Sequence, residues 1–245
     1  MLGDGELAGV ILAVLHRIPA TMSSLTQVRL NLRLWKLHLR GSLYIPEESR
    51  HLVGLLASGG PTRLIEEVEK MAKLGSLWAS ATLGYLSLLP GEDGRRNPQR
   101  AIELLRERAI SSDPYVLFVL AWAYVLSGRR LVGLRTMRKA SRSGFPPAAL
   151  EFATFVWNGW GIKEYHSAAA LDLLRDARKA GHKAALIWKC KMYLSGKFGA
   201  FRACLGYLML PYAQFRFFVW AILDPFSCRV FWFQPPAAGP IFRNP

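Results

Sequence analysis

A chain of 245 residues, 51% of them apolar, is long enough for one sizeable domain or an extended array, and too apolar to be a disordered chain. Its net charge of +15 comes mainly from arginine spread along the predicted helices, not from a tail. That charge could serve an acidic protein partner, nucleic acid or an anionic membrane, or be no more than a basic surface. The three cysteines, Cys190, Cys204 and Cys228, make an odd count without metal-ligand spacing, which argues against a disulfide framework and for a reducing, cytoplasmic setting.

Within residues 1–21 the apolar run Leu7 to Leu15 is too short to span a membrane. Asp4 and Glu6 stand where a secretory signal would carry positive charge. A short helix packed on the rest of the chain is the expectation, and Met22 would also serve as a start. From Val28 to Leu39 the leucines alternate with Arg29, Asn31 and Arg33, a strand-like period. A lone strand is not stable, so the stretch is read as a basic helix, an N-terminal cap or else a membrane or partner element. A turn with Pro46 follows, then two predicted helices, Ser49–Ser58 and Pro61–Leu74, with Glu66, Glu67 and Glu69 early in the second, where the helix dipole favours them. Residues 1–63 are thus an N-terminal helical segment that includes one degenerate helix pair.

A repeat then emerges. Its clearest copy is Ala148–Ala185. Pro146 and Pro147 open a first helix whose stripe is Ala148, Phe152, Phe155 and Val156. Asn158-Gly159-Trp160-Gly161 reverses the chain, and a second helix runs from Ser167 to a glycine stop at Gly181. A large residue followed by a small one marks each first helix: Leu83-Gly84, Leu120-Ala121, Phe152-Ala153 and, more weakly, Lys189-Cys190. The small members are 37, 32 and 37 residues apart. Amphipathic second helices are predicted at Pro98–Ile110, Arg129–Ser141 and Ser167–Ala180. Two helices per fixed period define an all-α fold, an α/α solenoid of helix–turn–helix repeats with helical caps at both ends.

The pattern Ala148, Phe152-Ala153, Phe155-Val156, Gly159-Trp160-Gly161-Ile162, Ala169, Leu173-Leu174, Ala177, Gly181 resembles a Sel-one-like repeat, a relative of the tetratricopeptide repeat. About four units cover residues 64–199. The second departs by one residue inserted before Gly128, the first by Pro90 where glycine is usual, and the fourth by Lys189 and Cys190 at the large and small positions. The motif consists of packing residues, so it speaks for fold and hardly for function. The resemblance implies an adaptor that docks a protein partner, and a bacterial regulatory role would fit it.

Candidate contacts follow from that architecture. First helices of solenoids commonly line the face where extended partners lie. Tyr85 and Trp122 stand at the first-helix surface position, and Trp157 and Trp160 at the third turn, as aromatic anchors or as packing between repeats. Arg135, Arg138, Lys139 and Arg142 fall on one side of their helix. With Arg129 and Arg130 they form its densest cationic face, suited to phosphate or a carboxylate-rich partner, or simply solvated.

Residues 200–245 form an apolar, aromatic-rich C-terminal cap and a Pro-rich tail. Leu205–Leu223 has the length of a membrane span, but Pro211, Gln214 and Arg216 count against one. A cap should carry a polar outer face, and this one offers little. The stretch 205–233 is therefore a buried cap, a partner-covered surface or a membrane contact. Chemistry finds no support. His16, His38, His51, His166 and His182 are scattered, and no zinc, CxxC or phosphate-loop motif is present. No catalytic residue, cofactor or metal is expected. The function expected is non-catalytic binding of a protein partner, with a basic helical-repeat nucleic-acid binder or a peripheral membrane protein as alternatives.

Overall fold

The computed structural model describes residues 44–46, 49, 51–89, 96–159 and 167–223. The readings for 1–21, 28–39, Trp160, His166 and Cys228 lie outside them. Every element among the described residues is helical: α1 (His51–Lys73), α2 (Leu77–Leu88), α3 (Pro98–Leu105), a short 3-10 turn at Arg108–Ser111, α4 (Pro114–Leu126), α5 (Arg130–Arg142), α6 (Pro146–Trp157), α7 (Ser167–Lys179), α8 (Ala185–Leu194) and α9 (Ala200–Leu223). From α2 onward they form four successive pairs. Each helix packs on its neighbours in the chain, and α2 also packs on α4. The architecture is an all-α solenoid of helix pairs.

Local chemistry starts the helices. The Ser76 hydroxyl accepts the Ala79 N–H at the start of α2, the Asn97 side chain accepts the Arg100 N–H before α3, and the Asp113 carboxylate accepts the Tyr115 and Val116 N–H groups before α4. Each satisfies donors that a helix start leaves unpaired. Pro98, Pro114 and Pro146 occupy first-turn positions where a missing N–H costs nothing.

The first and second helices of a pair differ in burial for a reason visible in their composition. Helix α4 is apolar all round, α6 is apolar but for Glu151 and Thr154, and both are nearly wholly buried. Helices α5 and α7 are amphipathic and turn Leu134, Met137 and Ala140, or Ala170, Leu174 and Ala177, inward. At Ala121 and Cys190 the small residue of the first helix lets its partner approach. A Cβ placed on Gly133 of α5 would lie 2.8 Å from the Ala121 carbonyl oxygen of α4, and one on Gly206 of α9 would lie 2.9 Å from that of Cys190 in α8. A second series keeps the same period. The left-handed residues that follow the second helices are Ser112, Gly144 and Gly181, and Gly75 occupies this place after α1, spaced 37, 32 and 37 residues apart. After each glycine in that series the next N–H reaches back to a carbonyl five residues earlier: Ser76 to Met71, Phe145 to Ala140 and His182 to Ala177.

Three expectations change. Ser49–Ser58 and Pro61–Leu74 are one helix, α1, continuous through Pro61. Leu64, Val68 and Ala72, spaced four apart along it, join Leu52 and Ala79 in one apolar cluster, and that shared burial offsets the hydrogen bond that an internal proline removes. The helix expected over Pro98–Ile110 ends at Leu105 and closes through the 3-10 turn. The segment after residue 199, read as a cap, is the second helix of the fourth pair: Leu186, Ile187 and Cys190 of α8 bury against Ala213 of α9. The expected boundary at 199 therefore falls inside that pair.

Residues 44–46 tie the pairs together laterally. The Tyr44 carbonyl accepts the Trp78 indole N–H at 2.9 Å, and the Tyr44 ring meets Tyr115 and Phe145 edge-on at 5.1 and 5.8 Å. One short segment thus touches the starts of three pairs.

Candidate partner-binding site

A groove of about 310 Å³ opens where α7, α8 and the start of α9 meet. Leu171 and Leu174 of α7 and Ala185 of α8 give it an apolar floor. Its rim is cationic: Arg175 and Arg178 from α7, Lys189 from α8 and Arg202 from α9, against one carboxylate, Asp172. Asp172 holds Arg175 at 3.0 Å in an exposed pair that the helix spacing dictates.

Aromatic rings frame the far end. Phe198 stacks on Trp157 at 5.7 Å and meets Tyr193 edge-on at 6.1 Å. Lys197 lies 4.8 Å from the Trp157 ring centre, Lys189 5.4 Å from that of Tyr193, and Arg202 5.9 Å from those of both Tyr193 and Phe198. Cations held over ring faces are oriented and partly desolvated while their charge stays available to a carboxylate. From Ala177 to Leu223 the chain contains no aspartate or glutamate and eight lysines and arginines. The groove is therefore an attractive field for anions as well as a set of contacts.

Lys189 is where the fourth pair breaks the repeat. Leu83, Leu120 and Phe152 fill the equivalent position in the earlier pairs. Phe152 lines a smaller cleft one repeat earlier, about 270 Å³, together with Phe145, Leu173, Asp176, Arg138 and Arg142. At the fourth pair the large apolar residue is replaced by an ammonium group.

The residues singled out from sequence separate into two groups. Tyr85 and Trp122 are not surface anchors: they are 2% and 1% exposed. Tyr85 lies on the inner side of α2, and α4 is nearly wholly enclosed, with Trp122 meeting Phe155 edge-on at 5.1 Å. Trp157 is half-buried and sits at the groove through its stack on Phe198. Arg138 and Arg142 line the smaller cleft, while Arg135 and Lys139 lie on the exposed side of α5. Sequence reasoning passed over Lys189, Tyr193, Phe198, Arg202, Arg175 and Arg178 as site residues. The signal available was the acid-free, aromatic-rich run itself.

Elsewhere several titratable groups are buried among the described residues. His182 is buried and its Nδ1 accepts the Ala184 N–H at 3.2 Å, fixing the turn into α8. Burial pushes the Tyr115 phenol and the Cys190 thiol upward. Glu151 of α6 is pushed up to about 8 by burial, countered only in part by the Thr154 hydroxyl. No group of three His, Cys, Asp or Glu side chains that could hold a metal ion occurs among the described residues.

Fold and groove together define a helical-repeat protein with a cationic, aromatic cleft among the described residues. No family model matches the chain, and no curated protein matches it. Among solved structures, a Sel1 repeat protein from Oxalobacter formigenes superposes over 73% of this chain and 77% of its own, with a TM-score of 0.52 and 19% sequence identity. At that identity the likeness speaks for the fold, and it bears out the Sel-one-like architecture.

Proposed function

We propose that the protein is a non-catalytic adaptor that binds an acidic segment of a protein partner in the α7–α8–α9 groove. The observation that carries this reading is Lys189, the cation that replaces the repeat's large apolar residue and lines the groove together with Arg175, Arg178 and Arg202. Carboxylates would meet the cationic rim, and an apolar side chain would reach Leu171 and Leu174. The smaller cleft at Arg138 and Arg142 supplies a second contact one repeat away. The Sel1 repeat neighbour supports the scaffold half of the reading. A cytoplasmic setting belongs to it, since Cys190 and Cys204 are free thiols.

Nucleic acid is the competing occupant of a basic surface. A groove of this size, interrupted by Asp172, suits a few carboxylates better than a run of phosphates. The test is a displayed-peptide selection on the full chain, counter-selected against Lys189→Glu/Arg202→Glu. Enrichment of acidic peptides carrying one large apolar residue supports the reading. Enrichment indifferent to charge, or binding by the double variant, refutes it.

A further inference from the structure

The last described helix carries a second surface, which meets the groove only at Arg202. One face of α9 is committed to α8: Gly206, Ala213 and Ala221 are buried, and Met209, Leu210 and Phe217 pack against that contact. On the opposite face Phe201, Leu208 and Tyr207 are 82%, 74% and 73% exposed, and Leu205, Tyr212 and Phe215 are exposed beside them. At about 100° per residue, these six span roughly 160° of the helix surface. Exposed Arg202 and Arg216 border one edge and Gln214 the other. At about 150–250 Å² for an aromatic side chain, the patch amounts to roughly 600–800 Å², beyond what an ordinary monomer leaves open.

Two features choose the occupant. Among the described residues the face belongs to a single helix, a ridge and not a groove, so it fits a flat partner better than an inserted chain. The stretch from Ala177 to Leu223 has cations and no anion, so a second copy would press like charges together while leaving Arg202 and Arg216 unmatched. An anionic lipid surface answers both. No described helix is long and apolar enough to cross a membrane. A helix whose stretch from Phe201 to Phe215 presents a wide exposed apolar face with bordering arginines is instead the form that lies in the interfacial plane. We infer that the outer face of α9 docks the protein on anionic membrane, with Phe201, Leu208, Tyr212 and Phe215 in the acyl boundary and Arg202 and Arg216 at the headgroups. This inference does not rest on the groove reading: the two surfaces share only Arg202 at their border, and Phe201→Ser/Leu208→Gln touches no groove residue.

The test is sedimentation of the full chain with vesicles of phosphatidylcholine alone and of an equal mixture with phosphatidylserine. Binding to the mixed vesicles is expected to exceed that to the neutral ones at least tenfold. Phe201→Ser/Leu208→Gln is expected to lose it, and Arg202→Gln/Arg216→Gln to weaken it about thirtyfold, each with an unchanged unfolding midpoint because the sites are exposed. A polarity-sensitive dye on Cys204, in a Cys228→Ser background, should shift to the blue on mixed vesicles and be quenched by brominated acyl chains. Equal binding to both vesicles, no binding, a dye that stays in water, or a dimer split by Phe201→Ser/Leu208→Gln would each overturn the inference, the last in favour of a second copy.

Discussion

Replacing Glu151 with glutamine should remove a pH dependence built into the core. The carboxyl lies in α6 at 8% exposure and touches the Thr154 hydroxyl at 3.4 Å, with no ion pair to it among the described residues. Its folded pKa is pushed up to about 8, against 4.5 for the free group. Between those values the native state keeps a proton that the unfolded chain has released, so stability falls as pH rises and levels off above about 8. The full separation corresponds to about 5 kcal/mol, and relaxation and water entry on ionisation return part of it. A net loss of about 2–3 kcal/mol between pH 5 and pH 8 is expected. Glutamine is neutral throughout and can still bond Thr154. Urea unfolding of both proteins at half-unit pH steps reads the difference, and the other titrating groups cancel. Glu151→Gln should match the wild type near pH 5 and exceed it by about 2–3 kcal/mol at pH 8. A constant difference across that range would refute the reasoning.

Gly133→Ala should cost about 2–3 kcal/mol, because the new methyl meets the Ala121 carbonyl and Val125 and forces α4 and α5 apart. Gly84→Ala should cost less, since it meets the tip of the Leu105 side chain; chemical denaturation of the pair checks the order. Trp122→Ala should lower stability by about 3–5 kcal/mol without changing affinity for the peptide per folded molecule, as a wholly buried ring requires. Lys189→Phe restores the residue type of the earlier repeats. It should leave the unfolding midpoint no lower and weaken binding of an acidic peptide at least tenfold by calorimetry.

The period of the array was legible because packing sets it twice. The large-small pairs mark where two helices nearly touch, and the left-handed residues mark where the second helix must stop. Both series step by 37, 32 and 37 residues. Gly59-Gly60-Pro61 misled because burial along α1 outweighs a local break signal. Tyr85 and Trp122 misled because repeat position suggested a surface. The run Pro114–Leu126, apolar on every side, already pointed to enclosure. The segment after Gly199 looked like a cap because the repeat pattern changes there and an array needs a closed end, and the Gly206 contact with Cys190 that makes it a repeat helix is not visible in a helical wheel. The groove escaped for a different reason. Its cations come from three elements, and the decisive one, Lys189, read as a fault in the repeat instead of a feature of the site.

A charge-swap titration tests the adaptor reading most directly. An acidic peptide from the selection is labelled, and its anisotropy is followed with wild type, Lys189→Glu/Arg202→Glu, and that variant against the same peptide with lysine in place of its glutamates. Loss of at least tenfold in affinity with the variant, and recovery with the swapped peptide, is the predicted result. Equal affinity in all three titrations would place the partner elsewhere and contradict the account.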